Sequence, residues 1–185
     1  MNIFVIGEDG CPYKSAKEQC DKHVVKMPTE SGQMLSTVHR LLDGELQTRP
    51  SVSGKRMVKY WRLNDEREDV LYKAVHMYHP CTVWTMESDA NYRWHWQHLY
   101  ALCKEYTFRY GKTHAVETKL LSVLQKTPKN IPQGPLTPFK LAMQSNPECM
   151  FPSDPVKSYR LFYKTKRDRF SMTWKERTTP TWFQS

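Results

Sequence analysis

The sequence predicts an all-α protein: a compact single domain of about four to five helices across residues 1–185, with a short extended N-terminal segment and a Pro-rich strap at 127–155. Three observations predict it. Apolar residues recur at helical spacing in several long stretches. Seven of the twelve prolines crowd into 127–155 and exclude regular structure there. With 39 % hydrophobic and 25 % charged residues, the chain can bury a core and is not disordered.

Residues Asn2 to Gly7 form a short apolar run closed by Gly7, Gly10 and Pro12, which predicts an extended lead segment or edge strand. From Lys14 to Leu42, Ala16, Cys20, Val24, Met27, Met34, Leu35, Val38, Leu41 and Leu42 share one helical stripe, and Asp43-Gly44 stops it. Pro28 is expected to kink or divide this helix. A loop at 47–54 follows, then a charged amphipathic helix from Lys59 to Tyr78 with Trp61, Val70, Leu71, Ala74 and Val75 inward. Between Thr82 and Tyr110, the residues Tyr92, Trp96, Leu99, Cys103, Tyr106 and Tyr110 step by four and three, and Gly111 ends that helix. A further helix is expected over Ala115–Leu124. The strap carries enough apolar side chains to pack on the surface, and Pro155 to Trp174 reads as a last helix.

Lys plus Arg number 28 against 19 Asp plus Glu, a net charge of +9 that points to an anionic partner, with nucleic acid the commonest. Eight basic residues against two acidic ones lie between Val156 and Arg177, two thirds of that excess. There Lys164, Lys166, Arg167, Arg169, Lys175 and Arg177 interleave with aromatics, the pattern of phosphate neutralisation combined with base stacking. The same pattern also describes a helix with an aromatic core face and a wet charged face. Trp182 and Phe183 sit on a tail too short for its own core, so they dock on the body or reach a ligand. No apolar run suits a bilayer and residues 1–10 lack a signal-peptide pattern, so no membrane partner and an intracellular, cytoplasmic location are expected. The five cysteines are then expected as reduced thiols.

Phosphate-binding glycine loops, Gly-x-Ser-x-Gly and His-Glu-x-x-His are all missing. Chemistry could reside in Cys20, Asp21, His23, Lys26 and Glu30, where a helix would put His23, Lys26 and Glu30 on one face for acid/base work or for ordinary ion pairs. Cys20-x-x-His23 and His76-x-x-His79-x-Cys81 offer metal-ligand types but match no zinc framework, so neither a metal nor another cofactor is expected.

Asp21-x-His23 with Glu30 seven residues on, the His79-x-x-Thr-Val-Trp-Thr-Met-Glu run leading into a helix that ends Tyr110-Gly111, and the terminal Pro-Thr-Trp-Phe together resemble the phage pyrimidine-dimer DNA glycosylase/AP lyase family of the endonuclease V type. The resemblance spans about the first 115 residues and the tail. It implies an all-helical DNA repair enzyme, acting in the host cytoplasm, that excises a damaged base through an amine Schiff base. The nucleophile in such enzymes is the N-terminal α-amine, which suits the task because an α-amine titrates at about 7.7–8.0 and a lysine at about 10.4. By this resemblance the catalytic residues are Met1, or Asn2 if the initiator is removed, with Glu30 as the acid and His23 beside it. The phosphate-holding arginines of the family would fall at Thr29 and Gln33, so Lys26 and Arg40 are the nearest substitutes, while Trp182 and Phe183 match the aromatic tail that leans on the damaged bases. Two alternatives stay open: a phage-type transferase that modifies bases in DNA, and a non-catalytic DNA-binding protein.

Overall fold

The computed structural model describes residues 1–184, of which about 53 % of the chain is helical. Among them lie eight α-helices and one two-stranded antiparallel sheet. The fold is therefore largely helical, and the hairpin corrects the all-α expectation.

Residues Ile3, Phe4, Val5 and Ile6 are buried and pair with no strand. The lead segment instead threads the core, so that residue 1 emerges beside the second helix. Helix α1 (Pro12–Lys17) and helix α2 (Asp21–Asp43) replace the single helix expected from Lys14 to Leu42. The break forms because long-range donors take the last carbonyls of α1: Arg109 Nη2 donates to Lys17 O and Trp174 Nε1 to Glu18 O, both at 2.9 Å. Pro28 does not divide α2. Pro28 removes the donor to Val24 O, and His114 Nε2 lies 3.2 Å from the neighbouring carbonyl, Val25 O. The other ring nitrogen, Nδ1, already accepts from Val116 N, which leaves Nε2 as the donor.

The largest correction falls on Lys59–Tyr78. Strands β1 (Glu45–Pro50) and β2 (Met57–Arg62) pair in a hairpin where a loop and a helix were expected. Only the short α3 (Arg67–Val70) is helical beyond it. Arg40 supplies the reason. Its buried guanidinium, 1 % exposed, donates to Trp61 O, Glu68 O, Leu71 O and Tyr72 O and to the Glu68 carboxylate. Carbonyls that a helix would use internally converge on one cation.

Helices α4 (Pro80–Glu87) and α5 (Asp89–Tyr110) replace the single helix expected from Thr82. Ser88 between them is extended, and its hydroxyl accepts from Asn91 N as an N-cap. Gly111 ends α5 with φ +64°, as its position predicts. Helix α6 (Ala115–Leu124) packs on α2 at Gly32, where an added Cβ would meet Leu120 at 3.1 Å.

The strap is ordered by polar clamps on the α4–α5 junction. Gly134 N donates to Asp89, Ser88 to Pro135 O, and Thr137 exchanges bonds with Asn91. Helix α7 (Pro155–Lys164) ends ten residues short of the expected Trp174. A 3₁₀ turn (Thr165–Asp168) and a loop follow, held where the Asp21 carboxylate accepts from Thr173 Oγ1 and Lys175 N. Helix α8 (Thr181–Gln184) closes the described chain.

Two apolar cores result, one around the lead segment, α1, α4 and α7, the other between α2, α5 and α6. No helix among the described residues is long and apolar enough to cross a membrane. All five cysteines are free thiols.

Candidate active site

A cavity of about 260 Å³ opens where the first residues meet α2 and the end of α7. Met1, Asn2, His23 and Glu30, the four residues expected to be catalytic, all line it, together with Lys26, an expected phosphate contact. Helical spacing brings His23, Lys26 and Glu30 to one face. Core packing of Ile3 to Ile6 brings residue 1 to the same face.

The amino group of Met1 lies 3.8 Å from Glu30 Oε2, and Lys26 Nζ lies 2.9 Å from Glu30 Oε1. One half-buried carboxylate thus stands between two cations, with the Lys26 side chain mostly in solvent. Asn2 is buried and takes the positioning part: its Oδ1 accepts from Phe4 N at 3.0 Å and its Nδ2 donates to Ala142 O at 3.1 Å. The strap therefore reaches the cavity at Ala142. Phe4 holds φ +38°, a conformation that costs a non-glycine residue about 1–3 kcal/mol and recurs at functional sites.

His23 stacks on Phe4 at 4.7 Å between ring centroids and meets Phe170 edge-on at 5.5 Å. Its Nδ1 lies 2.7 Å from the Tyr163 hydroxyl, which itself accepts from Cys20 N at 2.8 Å. The hydroxyl proton is then free to go to Nδ1, leaving Nε2 as the N–H face of a neutral ring. Burial, reinforced by Lys26 and Lys166, pushes the His23 pKa down to about 4. His79 caps α4 close to the Met1 amine, and burial followed by that amine lowers its pKa.

From the basic run expected to bind DNA, Lys166 and Arg169 line this cavity. Lys166 is buried, its ammonium 3.5 Å from the Phe162 centroid, and burial with the nearby Arg169 lowers its pKa to about 8. Phe4, Phe162, Phe170 and Lys166 are the site residues that local sequence reasoning missed or misassigned. Only the tight alternation of bulky rings and cations from Phe162 to Phe170 hinted at them.

The other expected DNA contacts do not line this cavity. Arg40 is buried in the network described above, remote from phosphate access. Arg177 pairs with Glu105 at 2.9 Å and lies over Phe108. Phe183 is buried against Trp174 at 4.6 Å between centroids, and Trp182 donates to Glu18 Oε2 at 2.6 Å, so the aromatic tail docks on the body instead of projecting toward a ligand. Arg167 lies over the Phe183 ring but is exposed, as is Lys175, whose amide anchors to Asp21. Lys164 sits half-buried on the last turn of α7.

No three His, Cys, Asp or Glu side chains among the described residues gather as a metal-ligand set. Burial pushes the Cys20 thiol up and the Cys81 thiol up to about 11, which makes both poor ligands and poor nucleophiles. Chemically, the cavity offers an amine beside a carboxylate, a neutral imidazole, and three cationic side chains, Lys26, Lys166 and Arg169, around one acid, on a floor of aromatic rings. Compared with known proteins, the chain matches no family model, no curated protein and no solved structure.

Proposed function

We propose that the protein is a DNA-processing enzyme of the glycosylase/AP lyase kind, in which the amino group of residue 1 attacks a sugar C1′. The observation that carries this reading is the Met1 amine held 3.8 Å from Glu30 at an aromatic, cation-rimmed cavity.

The neutral amine forms a bond to C1′ as the C1′–N bond to the base breaks, and the base leaves with the bonding pair. Glu30 takes the proton that the amine sheds; the nitrogen lone pair then expels O4′, which takes that proton back from Glu30 as the sugar ring opens, and the restored carboxylate faces and stabilises the cationic Schiff base. The Nε2–H of His23 donates toward the departing base or the opening sugar ring. The Glu30 carboxylate then takes a C2′ proton from the Schiff base, and the C3′–O bond breaks as the 3′ phosphate leaves with the electron pair, which cuts the strand. Lys26, Lys166 and Arg169 neutralise the flanking phosphates. The damaged or modified nucleotide leaves the stack to reach the cavity, and weakened pairing at a lesion lowers that cost of a few kcal/mol.

Borohydride trapping tests the reading. DNA carrying an abasic site, and separately a thymine dimer, is incubated with the protein, with and without reductant, after intact mass has established the residue at the amino terminus. The expected result is a reductant-dependent adduct that maps to residue 1. No adduct in a preparation that binds the DNA overturns it and leaves base modification by transfer or non-catalytic DNA binding as the successor.

A further inference from the structure

Strands β1 and β2 form a ribbon whose one face packs near the body and whose other face is mostly exposed, Trp61 at its base being half-buried. The register pairs Leu46 with Trp61, Thr48 with Lys59 and Pro50 with Met57, and period-two alternation puts these six on one side. Leu46 is 54 % and Met57 59 % exposed, and Val52 at the tip is 98 % exposed. Residues 45–62 hold Arg49, Lys55, Arg56, Lys59 and Arg62 against the single acid Glu45. All five cations are exposed, and none lies within ion-pair distance of a carboxylate among the described residues.

Isolated two-stranded ribbons are marginal in water. This one is clamped at its base, where Arg40 donates to Trp61 O at 2.9 Å. It is closed at its tip by Ser51 N to Arg56 O at 2.7 Å, with Gly54 at φ +70°. Pro50 ends β1 and blunts further strand pairing. A clamped ribbon with exposed cations along it, Arg49 lying over the Tyr60 ring and Lys55 and Arg56 at the tip beside Val52, has the shape and charge to enter a DNA groove, with phosphates against the cations and the tip against the bases.

Its position links it to the cavity. The ribbon begins after the C-cap of α2 at Gly44, fourteen residues beyond Glu30, or about 20 Å along the axis. The segment 71–79 returns along α2, bonded by Arg40 to Tyr72 O and by Thr37 to Val75, and ends at His79 beside the Met1 amine. Lys73, His76 and Tyr78 are exposed along it. We infer that the ribbon 45–62 is a second DNA contact, which grips duplex apart from the nucleotide held at the cavity, with the exposed Lys73–Tyr78 segment running between the two. This rests on the DNA reading above but not on its Schiff-base step.

The test is the tip variant Lys55→Glu/Arg56→Glu in the full chain, measured by fluorescence anisotropy on an undamaged duplex of about 30 base pairs across a salt series. Both residues are exposed, so thermal unfolding should match wild type. The expected result is a binding slope against log salt shallower by about 1.8, from about 0.9 per lost contact, and affinity lower by about tenfold or more near 0.1 M salt. Wild-type affinity and slope in the variant would overturn the inference while leaving trapping intact. Concentration-dependent dimers that the variant abolishes, with DNA affinity unchanged, would instead assign the exposed face to a second copy of the chain. If trapping fails but binding depends on the ribbon, the Schiff-base reading falls alone; if wild type binds no duplex, both fall.

Discussion

Replacing Arg40 separates a structural role from a DNA-binding one. The five guanidinium N–H groups are spent on four backbone carbonyls and on Glu68, whose carboxylate also accepts from Leu63 N and the Tyr60 hydroxyl. In Arg40→Met the stem volume is kept while every donor is lost, so Glu68 stands without its partner and four carbonyls beside the apolar core go unsatisfied. Deleting one member of a buried ion pair costs about 3–5 kcal/mol, and the stranded carbonyls place this site toward the middle or top of that range, about 4 kcal/mol. At about 2–4 °C per kcal/mol for a chain of this size, the midpoint of thermal unfolding should fall by about 8–16 °C. Arg40→Lys retains the charge but offers three donors in place of five, and should lose about half as much. Circular dichroism melts read the effect, and hydrogen exchange should show the opening concentrated in residues 57–72. A melt within about 2 °C of wild type, together with a DNA-binding salt slope reduced by about 0.9, would refute the buried-clamp reasoning and return Arg40 to the phosphate contacts.

Glu30→Gln should slow trapping and strand cleavage by about 10²-fold or more while DNA affinity holds or rises slightly, since a negative charge is removed; unchanged rates in single-turnover assays would remove Glu30 from the chemistry. Stability should decline as pH falls: burial holds His23 and His39 at about 4 and His95 and His98 at about 3, so below the ordinary value of about 6.5 the unfolded chain takes up protons that the folded chain refuses. Each histidine contributes a slope of up to about 1.4 kcal/mol per pH unit down to its folded pKa, measurable as urea midpoints between pH 7 and 4. Competitive acylation followed by peptide mapping should give Lys166 a titration midpoint near 8, with Lys166→Arg losing the label; a midpoint in the ordinary lysine range would show that the ammonium reaches water freely.

What the sequence made legible was local. The four-three stepping along α5, the glycine that ends it, and the shared face of His23, Lys26 and Glu30 follow from helix geometry alone. The proline-dense strap was legible as irregular yet ordered, but its clamps on Ser88, Asp89 and Asn91 required the fold. The hairpin was hidden because Val58, Tyr60 and Trp61 lie among charges that also suit an amphipathic helix, and the deciding partner, Arg40, is some twenty residues away in sequence. The same non-locality separates Lys166, buried in the cavity, from Arg167, in solvent, although the two are neighbours in one basic run.

Amino termini are ordinarily the loosest part of a domain. Here the residues behind the first one are anchored in the core, so the distance from that anchor to Glu30 acts as a gauge of one residue. Each residue added or trimmed at this end moves the terminal nitrogen by about 3.8 Å, as far as the whole gap to the carboxylate. On the Schiff-base reading proposed above, methionine processing, acetylation or an added residue would therefore change the yield of reductant-dependent adduct, and preparations differing only at residue 1 should divide by that assay.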